Sequence, residues 1–305
     1  MPSQPPPTKE EIQSWRTERR NWGRWGDDDS AGAVNLITAE KRLQAVGLVQ
    51  SGRTVSLSRM FPKTPGPLNP TPAQHFMRTI TRGETGGGVV DYYGLVYHGH
   101  ASTHIDALCH VWDENGMWNG RDPNEEITAD GAKFADIMAW KDGIITRGVL
   151  LDVPRYRGEP YVTLDKPVHG AELEEIAKTQ DVEVGAGDAL IVYSGREAYQ
   201  AGHPQDFLGR PPSPGLHASC CKFIRDRDVA VLGWDLMDAR PDEHGHPWPV
   251  HSVLYCFGVA LMDNALLAPL ADVCAEEGRY EFMLMLLPLP VEGGTGSPAN
   301  PVAMF

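Results

Sequence analysis

Four histidines and an aspartate fall within thirteen residues, His98-Gly-His100-Ala-Ser-Thr-His104-Ile-Asp106-Ala-Leu-Cys-His110, and no other segment constrains the fold as tightly. Imidazole nitrogens and a carboxylate at this density are the usual ligand set for zinc or manganese. A straight strand would hold the Cα atoms of His100 and His104 about 13 Å apart, too far to share one ion. A continuous helix would join those two but carry Asp106 about 200° past His104, to the opposite side. The segment therefore has to bend, and the small residues Ala101-Ser102-Thr103 offer the turn. Beyond it, His104-Ile-Asp106 is extended, with both polar side chains on one face and Ile105 on the other. His100, His104 and Asp106 then make a three-ligand site with room for water, the pattern of a catalytic rather than a structural metal. His110, four residues past Asp106, either closes that site as a further ligand or stays free as a base that takes a proton from activated water. The second role is the expectation.

A second stretch carries the same chemistry: Trp248-Pro-Val-His251-Ser-Val-Leu-Tyr-Cys-Phe-Gly258-Val-Ala-Leu-Met-Asp263-Asn264. His251 and Asp263 are separated by about 18 Å along one helix or about 40 Å along one strand. They meet only if the chain reverses, and Gly258 marks the place. A helix from His251 to Phe257 rises about 10 Å, and a strand Val259–Asp263 returns by a similar distance.

The chain has 305 residues, 41% of them hydrophobic, enough for a sizeable core in one large domain or two ordinary ones. With 27 Lys+Arg against 41 Asp+Glu, the net charge of −14 argues against nucleic acid and anionic membranes as partners, since phosphates attract a Lys/Arg footprint. No apolar run approaches the roughly 18–20 residues of a membrane span, and Met1-Pro-Ser-Gln-Pro-Pro-Pro has neither part of a signal peptide. A soluble cytoplasmic protein acting on a small molecule is expected. The five cysteines (109, 220, 221, 256 and 274) form no C-x-x-C pair and read as reduced, buried thiols.

Residues 2–7 form a Pro-rich arm. Helices are expected over Lys9–Arg20, Ala39–Ser51, Gly170–Thr179 and His217–Arg227. Strands are expected over Arg53–Ser58, Val89–His98, Ile144–Val153, Ala189–Tyr193, Val229–Trp234, Val259–Met262 and Glu281–Leu287, whereas Pro62–Pro72 cannot be a central strand. The Gly-rich stretches at Gly86 and Gly293 lack the Lys-Ser/Thr ending of a phosphate loop, and Asp242-Glu-His-Gly-His246 reads as a solvated turn. No linker divides the chain. The expectation is an α/β fold: a single domain over 53–305, its mixed β-sheet core flanked by helices, preceded over 1–52 by an arm and a helical extension.

At His100-Ala-Ser-Thr-His104-Ile-Asp106-Ala-Leu-Cys-His110 the chain resembles the metal-dependent cyclase family, which includes bacterial kynurenine formamidases, isatin hydrolases and trans-dienelactone hydrolases. The family signature is His-x-Gly-Thr-His-x-Asp-x-Pro-x-His; Ser102 stands for its Gly and Leu108 for its Pro. Pro214-Gly-Leu, Val229–Asp235, His251…Gly258…Asp263-Asn264 and Gly293-Gly-Thr-Gly-Ser-Pro298 are similar to further landmarks. Trp25-Gly-Asp with Asn35-Leu-Ile-Thr is similar to the extended N-terminus of longer members. The resemblance implies a cyclase-like fold with a first ion on His100, His104 and Asp106. It also implies a proton shuttle at His110 and room for a second ion on His251 and Asp263. The implied activity is hydrolysis of a small amide, cyclic imide or lactone through a metal-activated water, with Zn2+ or Mn2+ as cofactor, in a homodimer or homotetramer. The alternative is a catalytically silent protein of the same fold that uses its metal to bind a small molecule.

Overall fold

The apolar runs line up as the middle of one sheet. The structure is a computed structural model that describes residues 7–204, 206 and 212–305; residues 2–6 of the Pro-rich arm lie outside the described residues. In chain order the strands are β1 (Thr54–Ser56), β2 (Gln74–Thr81), β3 (Gly87–Gly94), β4 (His104–Asp106), β5 (Ile127–Thr128), β6 (Gly131–Ala132), β7 (Ile144–Asp152), β8 (Ala189–Tyr193), β9 (Val231–Trp234), β10 (Ala260–Asp263), β11 (Glu281–Leu286), β12 (Gly296–Pro298) and β13 (Val302–Met304). Nine of them form a sheet in the order β1-β13-β11-β7-β8-β9-β10-β4-β12. The central β7, β8, β9 and β10 run parallel, and the strands on either side join antiparallel. Parallel strands are covered on both faces, so Val149-Leu-Leu and Ala189-Leu-Ile-Val are fully buried in succession instead of alternating.

The helices are α1 (Lys9–Glu18), α2 (Ala39–Val46), α3 (Pro123–Glu126), α4 (Val153–Arg157), α5 (Gly170–Thr179), α6 (Arg196–Gly202), α7 (Cys220–Asp226), α8 (Val253–Phe257) and α9 (Ala268–Glu277). Several are shorter than the sequence suggests. α2 stops at Val46, not Ser51, because Gly47 caps it and donates to Leu43 O. α7 starts at Cys220, after a turn in which the Nδ1 of His217 accepts the Ser219 N–H. The strand expected over Val89–His98 ends at Gly94 and pairs only with β2, as a hairpin apart from the main sheet.

The N-terminal extension packs against α8. Ile12 is fully buried, Arg16 donates to the Tyr255 hydroxyl, Asn21 Nδ2 donates to Phe257 O at 2.9 Å and Trp22 Nε1 to Tyr255 O at 2.6 Å. At the end of α8, Gly32 and Gly258 touch so closely that a Cβ on Gly32 would lie 2.3 Å from Gly258 O. The extension thus fixes the element that follows His251. Among the described residues, no helix is long and apolar enough to cross a membrane.

Candidate metal centre

Strand register brings the two polar stretches together. β4 pairs antiparallel with β10, so His104 lies opposite Asp263 and Asp106 opposite Leu261. Residues directly opposite share a face, and so do residues two apart along a strand. His104, Asp106 and Asp263 therefore project to one side, at the carboxyl end of the parallel strand β10, where open α/β sheets place their ligands. The reversal at Gly258 brings the last partner. Gly258 is left-handed (φ 70°) between α8 and β10, and His251 Nε2 comes to 3.2 Å from Asp263 Oδ2.

The bend before β4 is held from outside. Arg196, buried at the start of α6, donates to the carbonyl of His100 and at 2.6 Å to Asn264 Oδ1. Asn264 Nδ2 donates in turn to Gly99 O and, at 3.2 Å, to Ser102 O. Thr103 Oγ1 donates to Asn264 O at 2.8 Å. One buried network therefore ties the bend to the end of β10.

The donor set is arranged for a cation. His104 Nδ1 donates to Ser102 O at 2.9 Å, which turns its Nε2 lone pair toward Asp106 Oδ1 at 3.4 Å and Asp263 Oδ2 at 3.8 Å. His251 Nδ1 lies 2.6 Å from Asp238 Oδ2, which likewise presents Nε2 to Asp263. Asp263 Oδ1 is taken by the Trp234 indole N–H, leaving Oδ2 to face the imidazoles. Lone pairs thus converge on a small volume between nearly buried side chains, and such an arrangement is repulsive until a positive charge enters. Burial pulls the His104 imidazole down, yet the Asp106 and Asp263 carboxylates outweigh it and push it up to about 9. The ligand atoms form two groups, each with mutual distances within 4.8 Å: His98, His104 and Asp106, and Asp106, His251 and Asp263. Asp106 belongs to both. These residues fit one divalent ion, with room for a second.

The sequence-predicted residues fall as follows. His104, Asp106, His251 and Asp263 come together in these groups. His100 and His110 line the same cavity, of about 270 Å³, without entering either group. His110 Nε2 lies 3.8 Å from Asp106 Oδ2. Burial, with His98 and His251 beside it, draws His110 down to about 4; at neutral pH it is an uncharged base. Burial and Arg196 hold His100 at about 4 as well. Sequence reasoning missed Asp238, Arg196 and Thr295, the last of which meets His98 Nε2 at 3.0 Å. It counted His98 in the cluster without giving it a role. A signal was present in Gly99, whose φ of +130° lets the chain swing the preceding ring toward Asp106.

The segment 242–246 is the turn expected, with Glu243 and Gly245 exposed. His217, Glu243 and His244 also converge, but the chemistry differs there. Because His217 Nδ1 accepts the Ser219 N–H at 3.1 Å, its Nε2 carries the proton and donates to Glu243 at 3.0 Å. That is a satisfied hydrogen bond, not an open ligand.

Comparison with known proteins bears on the family and the fold. The Cyclase family model matches residues 36–240, more than half of the chain. A crystal structure described as a novel cyclase superposes with a TM-score of 0.82 at 31% identity, over 94% of this chain and 99% of that one. The isatin hydrolase of Roseibium aggregatum is 26% identical over 144 residues, which is 44% of this chain and about half (51%) of that enzyme. An isatin hydrolase solved with the product analogue thioisatinate shares the fold, with a TM-score of 0.55 at 18% identity over 87% of this chain and 98% of that one. With the family model spanning more than half of its length and the same fold in a 31% identical cyclase, the chain belongs to the cyclase family.

Proposed function

We propose that the protein is a metal-dependent hydrolase that opens a small amide, cyclic imide or lactone. One observation carries the reading: imidazole and carboxylate lone pairs converge around Asp106 while the far nitrogens of His104 and His251 are each held by an acceptor. That is how proteins orient metal ligands. Its relationship to isatin hydrolase supports hydrolysis as the reaction. A divalent ion held there, Zn2+ or Mn2+, would lower the pKa of water toward about 7 and polarise a substrate carbonyl. His104 and Asp106, with His251 and Asp263, hold the charge. His110, neutral and facing the cavity, takes the proton of the attacking water as its oxygen bonds to the carbonyl carbon. It then returns that proton to the departing nitrogen or oxygen as the C–N or C–O bond breaks. His100 lines the same cavity.

A homodimer or homotetramer is part of the same proposal. Phe76, Met77, Tyr92 and Tyr93 are each about 60% exposed on the β2–β3 hairpin, and a two-stranded ribbon with such an apolar surface is marginal alone in water.

The test pairs metal analysis with a hydrolysis screen over aryl formamides, isatin and unsaturated lactones. The expected result is a stoichiometric transition metal and chelator-sensitive turnover of at least one class. Purified protein that takes up no divalent ion from a zinc or manganese solution would overturn the proposal.

A further inference from the structure

We propose that the cavity takes an anionic substrate: a single-ring compound whose hydrolysable group faces the metal ligands, whose ring lies on Trp248 and whose carboxylate pairs with Arg240. This substrate class deepens the hydrolase reading above and rests on it for the reacting group. Besides the histidines and Asp263, the cavity is lined by Pro214, Leu236, Met237, Arg240 and Trp248. The Trp248 ring stands beside the metal ligands, its centroid 5.5 Å from that of His251. Aromatic rings pack against one another at such spacings, so a flat ring resting on Trp248 lies a side chain's breadth from the ligand atoms. Size limits what else fits. A dry cavity of about 150 Å³ takes one benzene ring, so about 270 Å³ takes one ring with small substituents, and not two rings.

Arg240 supplies the charge. Its backbone is fixed by two hydrogen bonds with Ser213, donating to the Ser213 carbonyl at 2.9 Å and accepting the Ser213 N–H at 2.8 Å. Its guanidinium stands over the Trp248 ring, with Cζ 5.6 Å from the centroid, within the range of a cation–π contact. Asp238 is an acid within reach, but Nη2 comes to Asp238 Oδ2 only at 3.4 Å. That carboxylate has closer partners: Oδ1 accepts the Val250 N–H at 2.7 Å and Oδ2 meets His251 Nδ1 at 2.6 Å. Nη2 also donates to Pro247 O at 3.0 Å. Among the described residues, Nε and Nη1 have no hydrogen-bond partner.

Arg196, which also lines the cavity, is spent inside the fold. Its Nε donates to Gln200 at 3.2 Å, its Nη1 to Asn264 Oδ1 at 2.6 Å and its Nη2 to the carbonyl of His100. Asp235 is occupied as well, by the backbone N–H groups of Ser194, Gly195 and Arg196. In a chain of net charge −14, a guanidinium that these acids do not consume is what lets an anion enter beside them. Its planar fork suits a carboxylate, and the tryptophan under it suits the ring that carries one.

The test has two arms. In the first, calorimetry measures the binding of benzoate and of neutral benzamide to metal-stripped wild type, Arg240→Gln, Arg240→Lys and Trp248→Leu. With no ion to ligate, a preference for benzoate reports on the protein's own cation. In the second, the Zn2+-loaded proteins are assayed with formanilide and with its ortho, meta and para carboxylates. Circular dichroism and zinc content control for folding. Wild type should favour benzoate over benzamide by about 10–100-fold, the worth of one charge-assisted pair. It should favour at least one carboxylate over formanilide by a similar factor in kcat/KM, carried by KM. Arg240→Gln should bring both ratios near one, Arg240→Lys should keep part of each, and Trp248→Leu should weaken acid and amide alike. No preference for benzoate in wild type, or an undiminished one in folded Arg240→Gln, would overturn the carboxylate subsite and leave the hydrolase reading standing. Absence of zinc uptake would instead overturn the hydrolase reading, and the calorimetry of the stripped protein would still decide the subsite.

Discussion

His251 illustrates at the scale of one residue how a side chain proposed as a metal ligand depends on a neighbour behind it. Its Nδ1 is held by Asp238 Oδ2 at 2.6 Å, and the other Asp238 oxygen accepts the Val250 backbone N–H at 2.7 Å. Asp238 is 4% exposed, so its charge is committed to these partners. Asp238→Asn presents an amide N–H to one of these donors, and metal affinity should fall about 10–100-fold in a protein that still folds; titration against a chelating dye reads the change. His110 makes the opposite prediction. It stands 3.8 Å from Asp106 with its proton sites free for chemistry, so His110→Ala should keep its ion and lose about 10²–10⁴ in turnover. Loss of metal from His110→Ala would move that residue into the ligand set. His104 and Asp106 were legible in the sequence because alternation along a strand fixes their common face. Asp238 was not, because only the fold brings it to His251 across twelve intervening residues of irregular chain.

At the scale of elements, the decisive feature is the reversal between α8 and β10. Its position followed from arithmetic: a helical rise and a strand of similar length cancel only if the chain turns at Gly258, and it does so there with φ 70°. What the sequence did not announce is how crowded that turn is. A Cβ on Gly258 would meet the Trp118 ring at 2.8 Å and Gly32 Cα at 2.9 Å. Gly258→Ala combines a left-handed backbone, costing about 1–2 kcal/mol, with overpacking of about 1–3 kcal/mol. Urea denaturation should therefore show a loss of at least about 2 kcal/mol, and the displaced His251 should weaken metal binding in the fraction that folds. Helix ends were less legible than strand centres. α2 ends at a glycine that the apolar pattern runs past, and α9 was not anticipated, although Pro269 in its first turn and Gly278 at its end (φ 67°) are a start and a stop. The β2–β3 hairpin was half legible. Its second strand is rich in β-branched and aromatic residues, but the first, largely exposed, has no buried face to impose a period of two.

For the whole molecule, the consequence is a coupling between the ion and global stability. Asp106 and Asp263 are 1% and 3% exposed in a chain of net charge −14, and the segments that carry them are joined through β4, β10, α8 and the N-terminal extension. An ion that binds this arrangement binds only the folded state, since the unfolded chain scatters these residues. Linkage then stabilises the fold by about 2.7 kcal/mol at a free-ion concentration 100 times the dissociation constant, and by about 4.1 kcal/mol at 1,000 times. For a chain of this size each kcal/mol moves the midpoint by about 2–4 °C at most, so Zn2+ or Mn2+ should raise Tm by several degrees and a chelator should reverse the rise. Mg2+ should do far less, because the set is rich in imidazole nitrogen. In Asp106→Ala, which removes the carboxylate common to both ligand groups, the metal-dependent part of Tm should vanish whatever the variant's own stability. The same rise in Asp106→Ala would place the stabilising ion elsewhere on the molecule and detach it from the chemistry assigned to this cavity.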